Sequence, residues 1–212
     1  MRRLGSLLGF FLLLVGSAWA ASIPVGSELI VELPPLSERW QVSALPPDFL
    51  VKEIAEHLGH ELAAEGKTPS EAEILKVAEK RLAANEAFVC NPASGSCLLI
   101  DFSPLRPDEK APGRRQVAAS ARYAAEGLAD EEGLSDLQQT AAKANLPGSR
   151  HVYRIDARYR QHGEPRQFIG YVGFAQPSWF YLYYTDSLAD PADLAEMEKL
   201  FQGVVVRPAG GR

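Results

Sequence analysis

The stretch of residues 150–206 limits the possible folds more than any other part of the chain. It reads RHVYRIDARYR, RQFIGYVGFA and SWFYLYYT, and it continues with DPADLAEMEKLFQ and GVVVRP. Alternation with a period of two is typical of β-strands, and apolar residues on both faces of the second segment indicate a central strand. The stretch therefore predicts three consecutive antiparallel strands, an amphipathic helix and a final strand.

The rest of the chain predicts one α+β domain over residues 22–207 and a disordered tail over residues 208–212. Helices and strands come in runs rather than in strict alternation, which indicates a mainly antiparallel sheet flanked by helices. Two N-terminal strands, at 28–33 and 39–44, have sequences that would allow them to pair with each other. Helices are expected at 48–64, from the cap residue Thr68 to about residue 86, at 114–128 and, more weakly, at 134–144.

The order of elements at the C-terminal end resembles that of PsbP/Mog1-type domains. A tyrosine-rich strand leads through TDSLADPADL into a helix and then into VVV. The resemblance is one of pattern over about the last sixty residues, without a family motif that matches residue by residue. It implies an antiparallel sheet flanked by helices, and a role in binding or assembly.

The two cysteines of the chain, Cys90 and Cys97, lie in the segment FVCNPASGSCLLIDF. Apolar, strand-like runs flank a polar loop, which predicts a β-hairpin. In an exported protein an even number of cysteines at short spacing indicates a disulfide. The alternative, a redox-active pair, usually has the form Cys-x-x-Cys at the start of a helix. A structural disulfide that closes the hairpin is therefore the favoured interpretation.

The first twenty residues have the features of a secretory signal peptide. Arg2 and Arg3 precede an apolar run at 7–15, and residues 18–20 form an Ala-Trp-Ala cleavage site. The apolar run is much shorter than the roughly 20 residues that a bilayer span needs. We expect cleavage after Ala20, a periplasmic or secreted location, and no membrane span in the mature chain.

An arginine-bearing strand face is the first candidate ligand site. Arg154 and Arg158 alternate along the first strand of the predicted meander, and Tyr171, Trp179 and Tyr181 lie on the strands that follow. Arginine and aromatic side chains together can bind an anionic or sugar-like ligand by bidentate hydrogen bonds and stacking. The alternative is a solvated edge strand whose charges block edge pairing, with aromatic residues that only pack.

A second candidate site lies on the predicted helix 48–64. His57 and His60 are spaced i and i+3, and Glu53 and Glu61 lie within one turn of them. Side chains at this spacing project from adjacent turns and can hold a metal ion. The sequence places no third histidine beside them, and the alternative is an exposed helix face with Glu–His contacts. As a functional hypothesis, this site corresponds to a metal-dependent hydrolase.

Charge and motif content narrow the classes of function. The formal net charge is −5, whereas nucleic-acid binding needs a dense basic face, so no nucleic-acid partner is expected. The sequence contains no G-x-S-x-G, P-loop, G-x-G-x-x-G or H-E-x-x-H motif, and it predicts no cofactor. The favoured interpretation is an exported cell-envelope protein, a non-enzymatic binding or assembly module for an envelope protein or an anionic or sugar-like ligand. The alternative is the metal-dependent hydrolase.

Overall fold

The computed structural model describes residues 21–25, 28–131 and 133–209. The predicted signal peptide, up to its cleavage site before residue 21, therefore lies outside the described residues. Residues 210–212 of the predicted tail also lie outside them. In chain order the elements are β1 (Ala21–Val25), β2 (Leu29–Leu33), β3 (Gln41–Ser43), α1 (Asp48–Ala64), α2 (Glu71–Leu82), β4 (Ala87–Cys90), β5 (Cys97–Pro104), α3 (Arg114–Gly127), β6 (Leu134–Lys143), β7 (His151–Gln161), β8 (Glu164–Ala175), β9 (Ser178–Asp186), α4 (Pro191–Gly203) and β10 (Val205–Pro208).

The larger of two sheets has seven strands in the order β3-β4-β5-β9-β8-β7-β6, and each neighbouring pair is antiparallel. The predicted meander is present as β7, β8 and β9. β8 is buried from Gln167 to Ala175 because it has a strand on each side and packed layers on both faces. The prediction of an α+β fold with a mainly antiparallel sheet flanked by helices is confirmed.

The two faces of the seven-stranded sheet are covered by different layers. We call the face that carries Leu99 and Tyr183 the helical face, because α1, α2 and α3 pack on it. The opposite face, which carries Leu98 and Leu182, is the α4 face. It packs against α4 and against a three-stranded sheet of order β1-β2-β10. Strand alternation thus divides the apolar residues of the sheet between its two faces, and each face has its own hydrophobic core.

The segment predicted as a weak helix at 134–144 is the strand β6. Its alanine and glutamine residues are compatible with a helix, so local propensity alone gives the wrong answer. β7 would otherwise expose a free edge, and β6 pairs with it from Leu134 opposite Gln161 to Lys143 opposite Tyr153. Tertiary pairing overrides local preference here. It also means that β7 is not the edge strand considered from the sequence.

Two N-terminal predictions are also corrected by the structure. β3 pairs with β4 in the large sheet, whereas β2 pairs with β1 and β10 in the small one, so the two predicted N-terminal strands do not pair together. The cap of α2 is Ser70 rather than Thr68, and α2 ends at Leu82. The Ser70 hydroxyl accepts a hydrogen bond from the Glu73 amide, and the Ser70 amide donates to the Glu73 carboxylate, which lowers the pKa of Glu73.

Pro208 and Ala209, which were predicted to lie in the tail, make backbone contacts with the small sheet. Pro208, assigned to a disordered tail from the sequence, is the last residue of β10 and lies opposite Leu29 of β2. The Ala209 amide donates a hydrogen bond to the Glu28 carbonyl over 2.8 Å. Backbone pairing with the small sheet orders these two residues, although their side chains give no strand signal.

The disulfide between Cys90 and Cys97 is confirmed, and it joins directly paired residues at the end of the β4–β5 hairpin. We expect the double replacement Cys90→Ala, Cys97→Ala to lower the free energy of unfolding by about 2.5 kcal/mol, because the bridge restricts the unfolded chain. Urea unfolding without reductant measures the difference. Reductant should destabilise the wild-type protein by a similar amount and leave the variant unchanged. Equal stability of the variant and the oxidised wild type would contradict the prediction.

Candidate functional site

A pocket of about 520 Å³ opens on the helical face, between the α1–α2 pair and the segment that follows α3. The sheet forms the floor of the pocket. One wall is formed by α1 and α2, and the other by Leu128, Glu131 and Leu134, which follow α3. The main apolar side chains that line it are Leu50, Ile54, Leu82, Leu99, Phe168 and Tyr183. The main charged or titratable ones are Glu53, His57, Arg81, Asp101, Glu131 and Arg166. The pocket is therefore mixed in chemistry, with apolar and aromatic side chains beside a few charged ones, as small-molecule sites usually are.

The aromatic floor follows from strand alternation together with one glycine. Tyr183 of β9 and Phe168 of β8 lie side by side, with ring centroids 5.6 Å apart. Gly170 pairs with Tyr183, and a Cβ atom at Gly170 would lie 2.7 Å from the Phe168 ring. The glycine thus leaves room for Phe168 to lie over the backbone. Burial raises the pKa of Tyr183, so its hydroxyl stays protonated at neutral pH and is available as a hydrogen-bond donor.

Arg166 lines the pocket and has a buried nitrogen without a hydrogen-bond partner among the described residues. It lies on β8 opposite Tyr159, and its nearest carboxylate oxygen, from Glu53 of α1, is 3.7 Å from Nη2. That distance is too long for a hydrogen bond. The Nε atom of Arg166 is buried and has no hydrogen-bond partner among the described residues. A partly buried guanidinium in this condition gains from any anionic group that enters the pocket.

The five ligand-binding residues predicted from the sequence do not come together. Arg154 and Tyr171 project from the α4 face, whereas Trp179 and Tyr181 project from the helical face. Trp179 packs edge-on against Phe174 at 6.2 Å between ring centroids. The sheet itself separates the predicted arginines from two of the predicted aromatic residues, so they cannot contact one small ligand. Their roles in ligand binding stay predictions.

Arg154 is fully engaged within the protein. Its Nε and Nη2 atoms donate to Asp156, and both terminal nitrogens donate to Glu198 of α4 at 2.8 and 2.5 Å. Nη1 also lies 3.3 Å from the Tyr171 hydroxyl, and the guanidinium carbon is 5.8 Å from the centre of that ring. The hydrogen bonds to Glu198 are the main cause of a raised pKa for Arg154. Arg158, on the same face, is exposed.

The histidines form a pair that sequence spacing did not reveal. The Nδ1 atom of His57 lies 3.3 Å from the Nε2 atom of His162, which belongs to the β7–β8 turn. His60, the predicted partner of His57, is exposed, and its ring centroid is 6.5 Å from that of His162. Only the tertiary fold brings the turn beside α1, so no sequence signal marked His162 as a partner.

The predicted metal-ligand set, His57, His60 and Glu61 with Glu53 nearby, stays a prediction. The side chain of Glu61 lies outside the described residues, and Glu53 is directed towards Arg166. Among the residues that the structure describes, no group of three or more His, Cys, Asp or Glu side chains has the arrangement of a metal site.

Within the described part of the chain, no helix is both long and apolar enough to span a membrane.

The fold and the pocket together define an antiparallel α+β module. Its helical face has a pocket between the α1–α2 pair and the segment that follows α3. No family model matches the chain, and no curated protein matches it. Among solved structures the chain is similar to LpqN of Mycobacterium tuberculosis, described as involved in cell envelope biogenesis, with 14% identity and a TM-score of 0.51. That match covers 90% of this chain and 91% of LpqN. At such identity the similarity establishes a shared fold alone.

The chain is also similar to the solution structure of cyanobacterial PsbP (CyanoP) from Synechocystis sp. PCC 6803. The identity is 10%, the TM-score is 0.49, and the match covers 96% of this chain and 98% of that one. A PsbP structure is thus among the solved structures that resemble this chain, in keeping with the C-terminal pattern. A TM-score of this size carries no argument about function.

Proposed function

We propose that this protein is an exported, non-enzymatic binding module of the cell envelope. Its pocket on the helical face takes a small ligand that has an apolar or ring-shaped body and one anionic group. The observation that carries the proposal is the combination of an aromatic floor, Phe168 and Tyr183, with the incompletely satisfied guanidinium of Arg166. The anionic group agrees with the anionic or sugar-like ligand expected from the sequence, but the apolar body and the site are different.

The chemistry of the pocket favours such a ligand over a purely apolar or a highly charged one. Phe168 and Tyr183 offer ring surfaces on which an apolar ring or a sugar ring can stack. Arg166 offers charge-assisted hydrogen bonds to a carboxylate, phosphate or sulfonate, and these are roughly twice as strong as neutral ones. The carboxylates of Glu53, Asp101 and Glu131 also line the pocket, so a ligand with several negative charges would be repelled.

Three observations support a location in the cell envelope. The first twenty residues have the pattern of a secretory signal peptide. The disulfide between Cys90 and Cys97 is typical of proteins that fold in an oxidising compartment. LpqN, whose fold this chain shares, is described as involved in cell envelope biogenesis. The metal-dependent hydrolase built on Glu53, His57, His60 and Glu61 stays a prediction: catalytic zinc sites use three protein ligands, and the described residues contain no group of three such side chains.

The anionic aromatic probe 1-anilinonaphthalene-8-sulfonate tests the pocket, since it combines fused rings with a sulfonate. We expect saturable binding at one site per chain. Replacing Arg166 with glutamine should weaken binding about tenfold or more, because a hydrogen bond to a charged group contributes about 1.5–3 kcal/mol. Ile54→Trp, which fills the pocket, should reduce binding independently of charge. Fluorescence titration measures both effects, and thermal unfolding checks that the variants are folded.

Arg158→Gln is the matched control, because Arg158 is an exposed arginine on the opposite face of the same sheet. Probe affinity should be unchanged in this variant. A large loss with Arg158→Gln and none with Arg166→Gln would reject the pocket and point to the arginine face predicted from the sequence. Absence of saturable binding by the wild-type protein would also count against the pocket proposal.

A further inference from the structure

We propose that His57 and His162 together bind one divalent transition-metal ion, with Zn²⁺ as the test ion, at the rim of the pocket. The two residues come from different elements, α1 and the β7–β8 turn. This site differs from the one considered in the sequence, which relied on His57, His60 and Glu61 of a single helix. It does not depend on the proposed ligand of the pocket.

The distance between the facing ring nitrogens is the main argument. His57 Nδ1 and His162 Nε2 are 3.3 Å apart. Two nitrogen ligands bound at about 2.05 Å to a tetrahedral ion are separated by about 3.3 Å. The described structure therefore already holds the two nitrogens at the edge length of a tetrahedral metal site, and each ring needs only a rotation that turns its lone pair towards the ion.

The hydrogen bond between the two rings is compatible with metal binding. When the two nitrogens share one hydrogen bond, one of them carries the proton and the other presents a lone pair. Binding of the ion requires this proton to move, by exchange with solvent, to the other nitrogen of the same ring, so that each neutral imidazole keeps one proton and coordinates through its facing nitrogen. His162 is exposed and His57 is half-buried, so an ion and its remaining water ligands can reach the pair from solvent.

The backbone of His162 is fixed by the surrounding turn, whereas its ring can still rotate. The His162 amide donates a hydrogen bond to the Gly133 carbonyl over 2.9 Å, and His162 has a φ of 50°. A Cβ atom on Gly133 would lie 2.4 Å from the His162 ring, so the ring occupies space that only glycine leaves free. A positive φ is uncommon for residues other than glycine. The turn therefore holds His162 in place towards α1.

Ligand chemistry selects the class of ion. Imidazole nitrogens suit Zn²⁺, Cu²⁺ and Ni²⁺, whereas Ca²⁺ and Mg²⁺ prefer oxygen ligands. The ring centroids of His60 and His162 are 6.5 Å apart, so His60 is too far away to share the ion in the observed arrangement. Water completes the coordination shell. His57 of α1 and Gln161 of β7, which directly precedes His162, both line the pocket, so a bound ion would link the α1 wall to the sheet floor.

The test is isothermal titration of tag-free, oxidised protein with Zn²⁺ at neutral pH. We expect one Zn²⁺ per chain in the wild-type protein. His57→Ala and His162→Ala should each weaken binding by roughly tenfold or more, because even loss of an outer-shell partner lowers metal affinity 10–100-fold. The double variant should be no weaker than either single variant, since one histidine alone does not form the site. Zn²⁺ should also raise the melting temperature of the wild-type protein and not of the double variant.

His151→Ala is the matched control, because His151 starts β7 at the end opposite the β7–β8 turn. Its Zn²⁺ affinity should equal that of the wild type. His57→Gln keeps a polar side chain on the helix and replaces His57→Ala if the alanine variant does not fold. Two results would overturn the proposal: no Zn²⁺ binding by the wild type up to millimolar concentration, or binding that survives in the folded His162→Ala variant.

Discussion

Replacing Asp193 with alanine is expected to lower the free energy of unfolding by about 1.5–3 kcal/mol, the range for hydrogen bonds to a charged group. Asp193 lies in the first turn of α4 and is 0% exposed. Its carboxylate accepts hydrogen bonds from the Asn91 amide at 3.0 and 3.2 Å and from the Ser94 hydroxyl at 2.5 Å. Arg39 Nη2 lies 3.0 Å from the same carboxylate. Alanine would leave the buried Asn91 amide without an acceptor and would weaken the attachment of α4 to the β4–β5 hairpin.

Glu32→Ala is the control for this experiment. Glu32 accepts a hydrogen bond from Arg207 at 2.7 Å, but both side chains are partly exposed, at 42% and 38%. Pairs of this kind typically contribute between zero and about 1 kcal/mol. Urea unfolding of the two variants beside the wild type separates a buried network from a surface ion pair. Similar losses in both variants would show that the Asp193 contacts carry no special stability.

Gly148→Ala is expected to lower the free energy of unfolding by about 3 kcal/mol. Gly148 lies in the β6–β7 connection and has a φ of 84°, which is unfavourable for alanine by about 1–2 kcal/mol. A Cβ atom there would lie 1.8 Å from the Val206 carbonyl oxygen of β10, so the backbones would have to separate. Overpacking of this kind costs about 1–3 kcal/mol more. The Val206 amide also donates to the Pro147 carbonyl over 3.0 Å, and that hydrogen bond would be strained.

Gly163→Ala separates the two contributions. Gly163 has nearly the same φ, 86°, but a Cβ atom there would meet nothing within 4 Å. The alanine variant at this position should therefore lose only the conformational part, about 1–2 kcal/mol. Unfolding of both variants under identical conditions gives the contact contribution as the difference. If the two losses are equal, then the approach of the turn to β10 has no energetic role.

The candidate pocket shows which properties of a residue a strand pattern can predict and which it cannot. Alternation along β9 indicated that Trp179, Tyr181 and Tyr183 share one face, and the structure places all three on the helical face. Which of them lines a pocket depends on where α3 ends and where α1 and α2 begin to cover the sheet. Tyr183 lines the pocket, and Trp179 and Tyr181 pack against the α3 layer. That boundary is set by helix placement, and no property of β9 encodes it.

The pairing of Arg166 with Glu53 and of His162 with His57 could not be predicted from the sequence for a related reason. Arg166 and His162 lie near the β7–β8 turn, and their partners Glu53 and His57 lie on α1, more than a hundred residues earlier. Arg154 is the opposite case. The strand pattern marks it as a candidate ligand-binding residue, but in the structure it donates hydrogen bonds to Asp156 and Glu198. Sequence periodicity reports the face of a strand, whereas the partner across that face comes from distant chain segments.

The sequence by itself determined the elements whose pattern is strong and local. These are the three strands from His151 to Asp186, the helices α1, α3 and α4, and the hairpin closed by Cys90 and Cys97. Their alternation, caps and cysteine spacing act over a few residues, so the information is present in the segment itself. Tertiary structure alone decided the strand state of β6, the partner of β3, the side of the sheet on which each arginine lies, and the pairing of His57 with His162. Each of these depends on which segment fills a free edge or covers a face, and that choice is made by long-range packing.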